Sequence, residues 1–260
     1  MNHGSRDDRL VLQPDDRVAV TSYQGERSNP MLCIGHSHVV CVARAAAENH
    51  VVLEALNFWN MPGAILVEDG KPKFSMALAE QLRQHAGAVF SMIGGAAHGV
   101  LGMLVHPRRF DFVLAAEPDL PIDPAAELLP MLAVRAMLKA LMADYLLLMS
   151  ELRRLCQGSM FHFEPPPPYA DARRMHADIP WVMYPGMCQE ISPAHFRYKL
   201  WRLHSQILFD WCANTGITFI ACPPESMDGH GFMLEPYYGD GAHASDAYGA
   251  LVLEQMRRRA

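Results

Sequence analysis

The sequence predicts an α/β fold in which a parallel five-stranded sheet is covered by helices on both faces. Two observations predict it. Five short apolar runs alternate with segments of helical spacing, the pattern of parallel strands joined by crossover helices. The length also fits: 260 residues, half of them hydrophobic and 19% charged, suffice for one sizeable domain with a full core. No internal repeat or second domain stands out.

Residues 1–29 carry little apolar periodicity and read as a partly disordered N-terminal arm, with Arg17 to Tyr23 (RVAVTSY) as an edge-strand candidate. Residues 30–260 read as the domain. The first strand is Leu32 to Gly35 and its helix runs from about Ser37 to Glu48. Val51 to Phe58 is the second strand, closed by the breaker Asn60-Met61-Pro62-Gly63. Phe74 to His85 has helical spacing, and Ala88 to Ile93 is a third strand ending in Gly94-Gly95. Residues 99–130 are proline-rich and read as an irregular, substrate-facing insertion.

Met131 to Leu155 predicts a long helix, apolar on more than one face. That pattern suits a deeply packed helix, with a homodimer face as the alternative. Ser159 to Phe163 is the fourth strand, followed by a stiff Pro165–Pro168 turn. Residues 169–191 look irregular. Ser192-Pro193 reads as cap and first-turn proline of a helix that stops at Asn214-Thr215-Gly216. Ile217 to Cys222 is the fifth strand, and a helix from about Ser245 to Arg257 closes the chain.

Composition narrows the function. The formal charge is −6 and the lysines and arginines form no long basic run, which argues against nucleic acid as a partner. The start, MNHGSRDDRLVLQPDD, has no apolar signal region, and no uncharged apolar span reaches the roughly 20 residues of a membrane helix. The six cysteines form no CxxC pair and mostly sit in apolar patterns. Buried free thiols in a reducing cytoplasm are the expectation.

Chemistry concentrates in Met31 to Val42, MLCIGHSHVVCV. A strand, a tight turn and a helix hold Ser37 where helix N–H groups point and favour negative charge. An attacking serine needs such a place, because its reaction builds an oxyanion. Its best partners lie in Gly239-Asp240-Gly241-Ala242-His243. There Asp240 can reach His243 across the turn, hold one imidazole nitrogen and leave the other free to take the serine proton. Ser37, Gly94-Gly95 and the loop from Pro223 to His243 all follow strand ends, so they face one rim, where ligands sit in such sheets.

These blocks carry a resemblance. IGHSHV, MIGGAAHGVLG and YYGDGAHASDAYG resemble the first, third and fifth sequence blocks of the SGNH, or GDSL-like, hydrolase superfamily. The resemblance implies a three-layer, flavodoxin-like α/β/α sandwich and a serine-dependent esterase or acyltransferase. The substrate class it implies is a small ester, an O-acetylated carbohydrate among them. Ser37 is then the nucleophile and first oxyanion donor, His243 the base and Asp240 its orienting acid. Gly63 is the candidate for the second block's N–H donor, and no metal or organic cofactor is expected. The third block departs from the pattern, with Ala96 where the family carries an oxyanion-binding asparagine. His98, turned inward, is the substitute donor, beside Gly95 at the strand end. The departure leaves a second reading open: a catalytically weakened family member that binds a glycan or a protein partner.

Each of these residues has a plainer role available. Ser37 can be a helix cap, Asp240 a turn residue, His243 a surface histidine and His98 a hydrogen-bonded structural one. His36, His38 and His98 sketch a zinc site, but no carboxylate or cysteine completes it, and the first two straddle the serine. Arg108, Arg109 and Asp111 read as solvated loop charges with a polar substrate as the alternative. Trp59, Trp181, Tyr237 and Tyr238 suit either sugar stacking or loop anchoring.

Overall fold

The computed structural model of the chain describes residues 31–179, 181–183, 186 and 188–260. The expected arm and its edge strand at Arg17–Tyr23 lie outside them. The main sheet is built from β1 (Met31–Gly35), β2 (Leu53–Asn57), β5 (Val89–Met92), β8 (Met160–Phe163) and β9 (Thr218–Ile220), in the order β2-β1-β5-β8-β9. Every pairing is parallel. Counted within this sheet the order is 2-1-3-4-5, the flavodoxin-like arrangement, with its switch point between β1 and β5.

Side chains of β1 alternate between two cores. Leu32 and Ile34 face α2 (Met76–Gln84), α4 (Met131–Leu155) and α6 (Ala194–Thr215). Met31 and Cys33 face α1 (Val39–Glu48) and α7 (Asp246–Arg257). The result is the expected three-layer sandwich. Helix α4 packs through Val134, Leu138, Met142, Met149 and Leu152, while Leu132, Met137, Leu141 and Leu147 stay exposed, so it is buried on one side only. Helix α6 ends where the sequence says it should, on Gly216 at φ 69°. Its start differs: Pro193 holds the cap position and Ser192 is buried, its N–H on the Met103 carbonyl. Among the described residues no helix is long and apolar enough to cross a membrane.

Three stretches are more ordered than the sequence suggests. β3 (Ile65–Glu68) and β4 (Lys71–Phe74) form a hairpin over Asp69-Gly70, both with positive φ. That is a two-residue turn of the Asp-Gly kind, whose twist matches the strands. The 99–130 segment includes the end of α3 (Ala97–Gly102) and a short parallel pair of β6 (Phe110–Asp111) with β7 (Glu127–Leu128). Residues 169–191 contain α5 (Ala172–Asp178), capped by Asp171, whose carboxylate accepts the Arg173 and Arg174 N–H groups. Buried Arg197 fastens this segment by donating to the carbonyls of Tyr169, Ala170 and Ser192.

Helices α1 and α7 touch through glycine. A Cβ on Gly249 would stand 2.2 Å from the Cys41 carbonyl oxygen. Gly249→Ala must push the two helices apart, and overpacking of this kind costs about 1–3 kcal/mol. The expected readout is a lower denaturation midpoint with an unchanged m-value.

Candidate active site

The parallel sheet brings the ends of β1, β5, β8 and β9 to one rim. Ser37 leaves β1 two residues after the strand ends and stands just outside α1. It is not a helix cap: the cap position is His38, and no side-chain hydrogen bond is made there. Among the described residues the N–H groups of Ser37 and His38 have no backbone acceptor, so both remain open at the helix start. Among the described residues the half-buried Ser37 hydroxyl makes no hydrogen bond either.

Asp240 and His243 are brought together. Nδ1 of His243 lies 2.8 Å from Oδ1 and 3.0 Å from Oδ2 of Asp240. The same carboxylate accepts the N–H groups of Ala242 and His243, so the turn itself aims it. Burial raises the Asp240 pKa, but the hydrogen bonds from the His243 ring and the Ala242 N–H outweigh it and hold the carboxyl below its ordinary value. The His243 ring then meets His38, the residue after Ser37, at a centroid distance of 5.8 Å. Serine turn and Asp–His pair therefore share one place, without a direct hydrogen bond from Ser37 to His243. Such bonds are often long in the absence of substrate.

The glycines and His98 fall differently. Gly63 is exposed at φ 80° in the Met61–Ala64 turn, with nothing within 4 Å of where its Cβ would be. Gly95 lies at the end of β5 beside His38, whose Nδ1 is 3.9 Å from the glycine's Cβ direction. His98 is committed elsewhere: its Nδ1 is 3.0 Å from Nδ1 of His204 on α6. Burial, then the His204 charge, pushes the His98 pKa well below its ordinary value. The contact is of the kind a hydrogen-bonded structural histidine makes.

His36 and His38 point to opposite sides of the serine. The His36 ring packs edge-on to Phe58, Trp59 and Tyr145 at 5.3–5.9 Å. His38 lines a cavity with Gly95, Met92, Glu164 and Pro165. Among the described residues no group of three or more His, Cys, Asp or Glu is placed to hold a metal. Of the candidate stacking residues, Trp181 packs on His176 and donates to its carbonyl, and Tyr238 stacks on Tyr169. Trp59 is 72% exposed and borders the site. Asp111 is no solvated loop charge: it is buried against Lys199.

Sequence reasoning set His38 beside the serine only as a zinc-ligand candidate, and it missed Tyr145 and His204 as neighbours of the site. The His-Ser-His triplet was a usable signal for the first; the other two come from helices remote in sequence. Further in, His162 on β8 lies 3.1 Å from the Ser91 hydroxyl. Burial pushes His162 and His204 down to about 3. A histidine neutral when folded but protonated when unfolded loses stability as pH falls from its ordinary value near 6.5 toward 3. Urea midpoints are therefore expected to drop steadily over that window, and His162→Phe is expected to flatten the slope.

No protein-family model matches the chain, and no curated protein sequence matches it. Solved structures do. The chain is similar to a GDSL-like lipase from Bacteroides thetaiotaomicron, at 14% identity and TM-score 0.40 over 89% of each chain. It is similar to a carbohydrate acetylesterase from Sinorhizobium meliloti, at 12% identity and TM-score 0.43 over 89% of this chain and 98% of the other. It is also similar to an aryl esterase of M. smegmatis, at 15% identity and TM-score 0.38 over 90% and 100%. The chemistry rests on this chain's own residues.

Proposed function

We propose that this chain is an SGNH-type serine esterase or acyltransferase acting on a small ester, an O-acetylated carbohydrate being the favoured class. One observation carries the reading: the Asp240–His243 pair, bonded at 2.8 Å, lies against the residue that follows Ser37 at the strand-to-helix turn. Ser37 Oγ attacks the carbonyl carbon and its proton passes to Nε2 of His243. Asp240 holds Nδ1–H and steadies the imidazolium. The open N–H groups at the start of α1 face the charge that develops on the carbonyl oxygen. His243 returns the proton to the departing alcohol, and water or an acceptor alcohol then releases the acyl group from Ser37. The exposed Trp59 beside His36 offers a face on which a sugar can stack.

A fluorophosphonate probe tests this. Labelling of the folded chain is expected at Ser37, absent in Ser37→Ala and strongly slowed in His243→Ala, together with hydrolysis of p-nitrophenyl acetate. A folded chain that neither labels nor hydrolyses acetyl esters would favour the second reading, a glycan- or partner-binding member of the same superfamily. The feature that favours it is Ala96, whose methyl group donates no hydrogen bond at the rim.

A further inference from the structure

We propose that His38 is a catalytic residue, donating one ring N–H to the oxyanion that forms when Ser37 attacks. The inference rests on the serine-ester reading above and adds a group to it.

The position is the first ground. His38 follows Ser37 directly and holds the cap position of α1. Its ring stands between His243, at 5.8 Å, and Gly95, toward which Nδ1 is turned. It also lines the cavity at this end of the sheet. A carbonyl carbon bonded to Ser37 Oγ carries its oxygen beside the start of α1, where His38 is the cap residue.

Availability is the second. Among the described residues neither ring nitrogen of His38 has a hydrogen-bond partner. The other histidines at this rim are occupied. His36 is packed among Phe58, Trp59 and Tyr145, His98 is bonded to His204, and His243 is bonded to Asp240. A half-buried donor without a partner is costly unless a ligand satisfies it.

Charge is the third. Burial, then the charges of His243 and His98, pushes the His38 imidazole down to about 3, so it is neutral at working pH. A neutral imidazole donates one N–H. It also adds no positive charge to oppose the imidazolium that forms on His243 next to it. The step balances: the Oγ–C bond forms, the carbonyl electron pair moves to oxygen, the hydroxyl proton goes to His243, and His38 keeps its own proton while the oxyanion accepts its hydrogen bond.

Steady-state hydrolysis of p-nitrophenyl acetate by the full chain tests it, with melting curves as the folding check. His38→Ala is expected to lower kcat about 10²-fold, the loss seen for one oxyanion donor, with KM nearly unchanged. His38→Gln is expected to recover part of that loss, and Ala96→Asn in the His38→Ala background to recover about tenfold or more by returning an amide donor to the rim. A folded His38→Ala chain with kcat within about threefold of the parent overturns the inference and leaves the serine reading standing. A loss that neither Gln at 38 nor Asn at 96 recovers overturns it as well. If the parent chain neither hydrolyses the ester nor labels at Ser37, the serine reading fails, and this inference with it.

Discussion

Removing the His243 imidazole is expected to lower kcat by about 10⁶, the loss found when a triad base is deleted from a working serine enzyme. The size follows from what the ring does. Ser37 is a poor nucleophile while its proton stays on Oγ, and among the described residues no unpaired base besides His243 meets the serine turn except His38, which burial keeps a weak one. Asp240→Asn is expected to cost less, about 10²–10⁴. The amide can still sit at the turn but presents the wrong hydrogen-bonding partner to Nδ1. The side chain of Asp240 is 55% exposed, so water screens and partly replaces it. An ordering of His243→Ala below Asp240→Asn below the parent, with KM little changed, is the expected kinetic signature. Equal, small effects of both changes would remove His243 from the chemistry.

The sequence was most legible where one residue type admits one backbone. The stop of α6 at Gly216 was read correctly because only glycine takes the left-handed conformation there at no cost. The five strands were read from continuous apolar runs, since a sheet covered on both faces needs them. Asp240 and His243 were legible because they lie three residues apart and meet across their own turn. The hairpin at Asp69-Gly70 carried its signal in that dipeptide, but the alternation of Lys71-Pro72-Lys73-Phe74 is too polar to read as a strand without its partner. His98 shows the other limit. Its role is set by His204, on a helix far along the chain, and no local pattern names that partner. The same applies to Asp111, which reads as a loop charge until α6 is laid beside it.

That last pairing predicts the largest effect on stability. Lys199 is fully buried and Asp111 is 2% exposed, with Nζ 2.5 Å from Oδ1. Lys199 also donates to the Pro121 carbonyl at 3.0 Å and lies over the Phe112 ring, while Asp111 accepts the N–H groups of Phe112 and Asp123. The pair thus fastens the 99–130 segment to α6 through both ends of the ion pair. Taking two charges out of water is costly, and only good geometry and added hydrogen bonds offset it. Removing one partner leaves the other buried and unpaired. Lys199→Met is therefore expected to lose about 3–5 kcal/mol, a large share of the 5–15 kcal/mol that holds a typical domain folded. Adding Asp111→Leu removes the stranded charge, yet the Phe112 and Asp123 N–H groups then lose their acceptor. The double variant should recover only part of the loss, and the double-mutant cycle should give a coupling energy of about 2 kcal/mol or more. Two additive losses in urea denaturation would mean that the charges do not sense each other and that packing alone holds the segment.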